Sequence, residues 1–262
     1  MSLDAKTIAA ITDRIQHAQD KVHTITKVTD EHPSMSIEDA YAVQDELRRR
    51  WIARGDRVTG LKAGLTSRAK MLQMGVNVPS FGIQMASMAR PENSAIEMSG
   101  LIHPRVEAEI AFVLKNELKG KGLSIEQVIA ATDYVIPAVE VIDSRYEKFK
   151  FDLVSVIADN SSSARYVTGG RPLDPQGLDL RTIGVVIEKN GEIQALGASA
   201  AVLNHPANAI VMLVDHLATR GECLPAGSFV MTGGITEAIP VARGDNIVAR
   251  FQDMGSVSFR FI

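Results

Sequence analysis

The first sixty or so residues carry hydrophobic positions at helical spacing, and most of the remaining chain does not. Between residues 37 and 51, apolar and aromatic side chains recur at steps of three and four, which predicts an amphipathic helix. Ser36 and Asp39 match the capping box that begins many helices. An earlier helix is predicted over about residues 3–18. Residues 1–57 are therefore predicted to form a mainly helical N-terminal portion.

From residue 58 onward, short apolar runs and alternating patterns predict strands. The predicted strands cover residues 58–66, 105–114, 134–142, 182–188, 192–198, 228–232, 246–252 and 256–261. Asn190-Gly191 separates two of these runs and is a strong signal for a two-residue β-hairpin. Two helical patterns interrupt the strands, one after Ser124 and one over about residues 206–220. The sequence thus predicts an α+β fold with a β-rich domain over residues 58–262.

Composition and charge narrow the class of protein. Hydrophobic residues make up 45% of the chain and charged residues 23%, as in ordinary folded proteins. The formal net charge of −3 gives no electrostatic reason to expect nucleic acid or an anionic membrane as partner. No apolar run approaches the roughly 20 residues of a membrane helix. Cys223 is the only cysteine, which excludes an intrachain disulfide and a thiolate metal site. We therefore expect a cytoplasmic protein that binds neither nucleic acid nor membrane.

Two glutamates, Glu107 and Glu109, lie two positions apart in the predicted strand 105–114. Side chains at i and i+2 project from the same face of a strand, about 7 Å apart, so these carboxylates are close enough to share a cation. The same spacing is also common on a strand face that is simply exposed to water. Ala111 and Val113 continue this face with apolar side chains, which favours a face that enters the protein.

Glu140 lies in a predicted strand that is apolar on both faces, a pattern typical of strands buried on two sides. A buried carboxylate without a partner is costly, so Glu140 should be neutralised, paired or bound to metal. An ion pair with Arg105 or Arg145 would meet this requirement. A Mg²⁺ or Mn²⁺ ion shared with Glu107 and Glu109 would also meet it, since these hard cations prefer oxygen ligands.

Lys62 is a further candidate because Gly60 and Gly64 flank it in an apolar strand. A lysine in such surroundings either extends to the surface or serves as a buried functional amine. The flanking glycines would let a ligand approach the backbone closely.

Two polar segments are candidates for binding. Residues 159–163, which include Asn160 and Ser161, follow an apolar run interpreted as a strand, and they could form a binding loop or merely a turn. Thr232-Gly233-Gly234 also follows a strand and could present backbone N–H groups to an anionic ligand or form a tight turn. Neither segment defines a function alone.

Many of these residues belong to motifs that occur in one order and spacing along nearly the whole chain. The motifs are Lys62-Ala63-Gly64-Leu65-Thr66-Ser67, Gly75-Val76, Phe81-Gly82, Arg105-Val106-Glu107-Ala108-Glu109-Ile110, Pro137-Ala138-Val139-Glu140-Val141-Ile142 and Ala158-Asp159-Asn160. In this pattern the chain resembles the hydratase/decarboxylase family of aromatic meta-cleavage pathways, part of the fumarylacetoacetate hydrolase superfamily. Residues 141–153 and 230–236 are most similar to the decarboxylases of that family.

The resemblance implies a fold, a cofactor and functional residues. It implies the superfamily's β-rich catalytic fold, and Mg²⁺ or Mn²⁺ held by Glu107, Glu109 and Glu140. Lys62 is implied as an active-site residue, which we predict to be catalytic. The predicted substrate-binding residues are Lys62, Asn160, Ser161 and Thr232.

The implied reaction is the metal-dependent decarboxylation of 2-oxohex-3-enedioate to 2-hydroxypenta-2,4-dienoate and CO₂. Related hydratases resemble this chain but carry an acid in the motif Pro-Asp-Phe-Gly, where this chain has Ser80. Hydration needs a group that handles water and protons at the alkene, whereas decarboxylation needs an electron sink, so Ser80 favours decarboxylation. Hydration of 2-hydroxypenta-2,4-dienoate is the first alternative. A C–C bond hydrolase and a non-catalytic subunit that binds a hydratase are the others.

The resemblance also implies partners. A small 2-oxo dicarboxylate is the expected substrate, and a complex with the cognate 2-hydroxypentadienoate hydratase is expected because the family's decarboxylases associate with it. The sequence leaves the oligomeric state open, including a homo-oligomer.

Overall fold

The structure is a computed structural model that describes residues 2–67, 71–72, 76 and 78–262, so Gly75 of the family motif lies outside it. The α-helices are α1 (Ala5–Lys21), α2 (Val28–Glu31), α3 (Ile37–Ala53), α4 (Ile125–Ala131), α5 (Leu153–Ala158) and α6 (Ala207–Thr219). The strands are β1 (Val58–Gly64), β2 (Ser80–Met85), β3 (Ala89–Arg90), β4 (Ala95–Ile96), β5 (Arg105–Leu114), β6 (Thr132–Ile142), β7 (Ser163–Thr168), β8 (Gly184–Lys189), β9 (Glu192–Ala198), β10 (Phe229–Met231), β11 (Ile239–Pro240), β12 (Asn246–Phe251) and β13 (Gly255–Phe261).

Local capping signals place the helices where the sequence predicts them. The Ser36 hydroxyl accepts from the Asp39 N–H, and the Asp39 carboxylate accepts in turn from the Ser36 N–H, which completes the capping box at the start of α3. The same reciprocal pair forms between Ser124 and Gln127 before α4. Both predicted capping boxes are therefore confirmed.

The site is built on the larger of two sheets. Among the described residues this sheet has eight strands in the order β2-β1-β10-β5-β6-β7-β3, and β11 adds to β5. The central strands β5 and β6 pair antiparallel over almost their whole length. Both are rich in valine, isoleucine and alanine and are buried on both faces, as strands in the interior of a covered sheet are.

The smaller sheet contains the predicted hairpin. Its five strands, again counted within the described part of the chain, lie in the order β4-β13-β12-β8-β9. Asn190 and Gly191 join β8 to β9 with φ angles of 56° and 84°. Positive φ at both central positions is the requirement of a type I′ turn, so the hairpin prediction is confirmed. β13 packs against β6 and β7 of the larger sheet.

The N-terminal helices are tied to the larger sheet through α3. α1 packs on α3, and α3 packs on α5. The buried Gln44 side chain of α3 donates to the carbonyls of Phe81 in β2 and Ile157 in α5. The mixed α+β architecture with a small helical N-terminal portion is as predicted. A domain boundary between residues 57 and 58 stays a prediction.

One local expectation is wrong. The polar run 159–163 follows a helix, α5, where a strand was expected. The Asp152 carboxylate accepts from the Ser155 N–H and caps the start of this helix. The apolar run that follows is too short to distinguish a helix from a strand by its pattern.

Within the described residues, no helix is both long and apolar enough to cross a membrane.

Candidate metal centre and active site

Strand register brings the three glutamates together on one face of the larger sheet. Glu107 lies directly opposite Glu140 across the β5–β6 pair, and Glu109 lies opposite Ala138. Directly opposed residues share a face, as do i and i+2 on one strand. One carboxylate oxygen from each glutamate lies within 4.8 Å of the other two. The convergence expected of Glu107, Glu109 and Glu140 is therefore present, and their role as metal ligands stays a prediction.

These carboxylates are removed from water. Glu107 is 7% exposed, and Glu109 and Glu140 are fully buried. Burial first, and then the nearby charge of Glu140, raises the pKa of Glu109 well above its ordinary value. The Gly233 N–H donates to Oε2 of Glu109 at 2.7 Å. The other oxygen, Oε1, is buried and has no hydrogen-bond partner among the described residues.

Lys62 lies on the same face and pairs with the cluster. In the sheet register Lys62 is opposite Met231 of β10, and Met231 is opposite Ala111, which shares the face of Glu109. The Lys62 ammonium nitrogen lies 2.9 Å from Oε2 of Glu140, and Lys62 is only 2% exposed. Lys62 is thus a buried amine, and the alternative of a side chain extending to the surface is wrong.

The residues present fit a divalent cation. Three carboxylates and one ammonium carry a formal charge of −2 among them, and two of the carboxylates, those of Glu109 and Glu140, are fully buried. Like charges at about 5 Å repel by roughly 3 kcal/mol per pair at an effective dielectric constant of 20. An ion such as Mg²⁺ would reduce the repulsion among the carboxylates and would give the unpaired Glu109 oxygen a partner.

Among the described residues, Glu140 pairs with Lys62 and with no arginine, so the arginine partner that the sequence allowed is not found there. Its second oxygen, Oε1, accepts from the Ser163 hydroxyl at 2.7 Å and from the Gln84 amide at 3.2 Å. Arg145 pairs with Asp159 instead, and Arg105 makes no ion pair within the described residues. These hydrogen bonds fix the orientation of the Glu140 carboxylate.

Two adjacent glycines lie against the cluster. An added Cβ at Gly234 would lie 2.9 Å from the Glu107 carboxylate carbon. Gly233 has a φ of +101°, which favours glycine, and its N–H points at Glu109. The segment Thr232-Gly233-Gly234 therefore presents its N–H to a protein carboxylate. The Thr232 hydroxyl donates to the Ile110 carbonyl at 2.8 Å.

The segment after α5 is an unusual backbone structure. Asn160, Ser161 and Ser162 are three consecutive non-glycine residues in the left-handed region, with φ of 49°, 52° and 57°. Such strain persists where surrounding contacts enforce it. Here the Asn160 amide both accepts from and donates to the backbone of Ile83, at 2.7 and 3.0 Å. The Ser161 hydroxyl donates to the Ser80 hydroxyl at 2.7 Å.

A cavity of about 240 Å³ opens next to the carboxylate cluster. Its polar lining includes Lys62, Ser80, Arg105, Glu107, Ser161 and Ser162. Its apolar lining includes Ile142, Phe149, Phe151 and Val156. A larger cavity of about 380 Å³ lies among α3, β1 and α6, and none of the three glutamates lines it. The smaller cavity joins an acidic cluster, a buried amine and hydroxyl donors, so it suits a small anionic ligand.

The predicted residues divide into two groups in this structure. Lys62, Glu107 and Ser161 line the cavity, whereas Asn160 and Thr232 are engaged with backbone groups of β2 and β5. Sequence reasoning missed Gln84 and did not place Phe149 or Phe151 in the site. Gln84 could have been found from the sequence, because it is a polar residue in the mostly apolar strand β2. Glu140 was found in β6 by the same kind of pattern.

Comparison with known proteins places this chain in a family. No protein-family model matches the sequence. The 4-oxalocrotonate decarboxylase of Pseudomonas sp. (strain CF600) is 57% identical over 261 residues, covering 100% of this chain and 99% of that protein. The 2-oxo-hept-4-ene-1,7-dioate hydratase of Escherichia coli is 37% identical over 265 residues, covering 99% of each. The chain therefore belongs to the hydratase/decarboxylase family, as its motifs suggested.

A solved structure of a decarboxylase from that family is also closely similar to this chain. The 4-oxalocrotonate decarboxylase from Pseudomonas putida G7, complexed with magnesium and adipate, is 55% identical and superposes with a TM-score of 0.98. The alignment covers 100% of this chain and 99% of that one. Similarity to the decarboxylases is thus clearly higher than similarity to the hydratase.

Proposed function

We propose that this chain is a divalent-metal-dependent carboxy-lyase that converts 4-oxalocrotonate (2-oxohex-3-enedioate) to 2-hydroxypenta-2,4-dienoate and CO₂ in the meta-cleavage degradation of aromatic compounds. The observation that carries the proposal is full-length identity of 57% to a decarboxylase, against 37% to a hydratase. This similarity confirms the decarboxylase prediction made from the sequence. The buried glutamate cluster beside a small cavity supports it independently.

The reaction breaks one bond and needs one electron sink. The C5–C6 bond breaks, its electron pair stays with C5, and C6 leaves as CO₂. The pair delocalises through the C3=C4 double bond onto the 2-oxygen, which becomes the oxygen of a dienolate. Protonation of that oxygen gives the product, so no base is required to start the reaction. Groups that stabilise negative charge on the 2-oxygen accelerate this step most, since the charge develops in the transition state.

Glu107, Glu109 and Glu140 would hold the ion in this site. When bound, Mg²⁺ or Mn²⁺ supplies a Lewis acid for the 2-oxo acid end of the substrate. Gln84, Ser163 and the Gly233 N–H hold the carboxylates in place through the hydrogen bonds described above.

Lys62 is the proposed catalytic residue among the chain's own side chains. Its ammonium lies beside Glu140 and also lines the cavity, so it can reach both the cluster and a bound substrate. A charged N–H donor in a buried site stabilises a developing oxyanion strongly and can deliver a proton to that oxygen. Ser161, paired with Ser80, is proposed to bind a substrate oxygen. Asn160 and Thr232 stay predicted substrate-binding residues, although their hydrogen bonds favour a role in positioning β2 and β5.

The purified chain with Mg²⁺ is expected to release one CO₂ per 4-oxalocrotonate consumed and to form 2-hydroxypenta-2,4-dienoate. Detection of CO₂ together with the ultraviolet absorbance of the dienol measures both products. Treatment with a chelator should stop the reaction, and added Mg²⁺ or Mn²⁺ should restore it. Water addition to 2-hydroxypenta-2,4-dienoate without any CO₂ release would identify a hydratase instead. No turnover of either substrate would leave the non-catalytic subunit as the better reading.

We also propose a cytoplasmic location and a complex with the cognate 2-hydroxypentadienoate hydratase. The family includes a 2-keto-4-pentenoate hydratase, and 2-keto-4-pentenoate is the keto tautomer of the proposed product. A direct complex would hand over a reactive dienol before it ketonises in water. Mixing the two purified proteins should give a single, earlier species in size-exclusion chromatography with light scattering, whereas independent elution at micromolar concentrations would count against the complex.

A further inference from the structure

We propose that Arg105 is a specificity-determining residue that binds the carboxylate at the far end of the substrate, the group lost as CO₂. The inference rests on the proposed function and deepens it. The roles already given to the three glutamates and Lys62 leave Arg105 without one. Among the described residues, Arg105 makes no ion pair with any of these four side chains.

Strand geometry places Arg105 at a suitable distance from the cluster. Arg105 begins β5 two residues before Glu107, so the two side chains share a face and start about 7 Å apart. Both line the same cavity. An extended six-carbon diacid spans roughly 6 Å between its two carboxyl carbons at ordinary bond lengths. A substrate held by its 2-oxo acid end at the cluster therefore reaches Arg105 with its other carboxylate.

The guanidinium of Arg105 is available for a ligand. Within the part of the chain that the structure describes, it makes no hydrogen bond or ion pair through its side chain. Other half-buried or buried arginines are engaged: Arg145 pairs with Asp159, and Arg165 donates to the Ala164 carbonyl. A planar guanidinium with free donors suits bidentate binding of a carboxylate.

Aromatic rings hold Arg105 in place and cover one face of its guanidinium. Its guanidinium lies 4.7 Å from the centre of the Phe149 ring, a cation–π contact. Phe149 in turn contacts Phe151, with ring centres 5.8 Å apart. Lys148 and Phe149 both have positive φ, 56° and 58°, so a strained backbone presents this ring.

These surroundings suit the departure of CO₂. The far carboxylate would meet one cation within an apolar lining formed with Ile142 and Val156. The carboxylate loses its charge as the C5–C6 bond breaks. Uncharged CO₂ then has no ion pair with Arg105 to hold it, so the residue selects the substrate without retaining the product.

Binding of two matched ligands tests this assignment. 2-Oxoadipate and 2-oxohexanoate have the same chain length and the same 2-oxo acid end, and they differ only in the far carboxylate. Neither has the C3=C4 double bond, so neither can decarboxylate by the proposed route. With Mg²⁺ present, calorimetry of the intact protein is expected to show 2-oxoadipate binding at least about 30-fold more tightly, as for a bidentate pair of guanidinium and carboxylate.

Arg105→Gln is expected to reduce this preference to about threefold or less while 2-oxohexanoate affinity stays within about threefold of its original value. Arg165→Gln is the matched control, because Arg165 is also half-buried but lines a different cavity, and it should keep the original preference. If Arg105→Gln does not fold by circular dichroism, Arg105→Met keeps the packing on Phe149 and decides the same question.

Two results would overturn the proposal: a preference for 2-oxoadipate that survives in the Arg105 variant, or no preference in the unaltered protein. Failure of the proposed function would give a different experimental result from failure of the Arg105 assignment. In that case the unaltered protein releases no CO₂ from 4-oxalocrotonate, yet the Arg105-dependent preference between the two ligands remains.

Discussion

Glu107→Gln is expected to abolish metal-dependent decarboxylation while the protein stays folded. The change removes one anionic ligand, and affinity for Mn²⁺ should fall by at least about 100-fold, since even indirect supports of a metal site are worth roughly 10–100-fold. Folding should survive because the charge of Glu107 is one of the causes that raise the pKa of Glu109, so the change relieves repulsion. Mn²⁺ titration followed by electron paramagnetic resonance measures the affinity, and CO₂ release measures turnover.

Two further variants sharpen this test. Glu237→Gln removes an exposed carboxylate near the site and should change neither measurement. Gly234→Ala leaves all three glutamates in place but sets a methyl group 2.9 Å from the Glu107 carboxylate carbon, so Mn²⁺ affinity should fall again. Full activity of Glu107→Gln after exhaustive chelation would refute the assignment of the metal ligands.

Part of this cluster could be predicted from the sequence by strand periodicity alone. The two-residue spacing puts Glu107 and Glu109 on one face, and the apolar context of Glu140 requires a partner for it. Periodicity says nothing about which residue lies opposite another, because register between β5 and β6 is a property of two distant segments. Resemblance to a family supplied that step.

Lys62 shows the limit of local reasoning more clearly. Its partner Glu140 lies on β6, and two strands, β10 and β5, separate β6 from β1 in the sheet. Nothing near Lys62 in the chain specifies that order. The same limit explains why an arginine partner for Glu140 was a reasonable expectation. Asp159 takes Arg145 instead, through contacts that depend on how the segment after α5 folds back.

Elements with strong end signals were predicted well, and two short buried strands, β2 and β7, were not predicted. Capping boxes and the Asn190-Gly191 turn act within four residues, so α3, α4 and the β8–β9 hairpin could be found locally. β2 and β7 have six residues each and little alternation, since both are mostly buried on both faces. Tertiary burial, which a single short window does not reveal, decides their structure.

Lys62→Met is expected to lower kcat by roughly 100- to 1,000-fold, the usual cost of losing one donor to a developing oxyanion. The variant should also expose a link between stability and metal. Methionine leaves Glu140 buried without its cation, and breaking such a pair costs about 3–5 kcal/mol of unfolding free energy. A divalent ion on the cluster would offset much of that cost, so the loss of stability should be largest without metal. Chemical denaturation with and without Mg²⁺ measures this difference.

Comparison of kcat with stability separates a catalytic role for Lys62 from a structural one. If Lys62 only neutralises Glu140, saturating Mg²⁺ should restore both stability and kcat in Lys62→Met. If Lys62 also donates to the dienolate oxygen, stability recovers but kcat stays low, because a metal ion on the carboxylates does not replace the N–H donor of Lys62. Lys119→Met, a change at an exposed lysine, controls for loss of charge alone. Unchanged kcat in Lys62→Met would refute the catalytic role and leave Lys62 as the counter-charge of a buried glutamate.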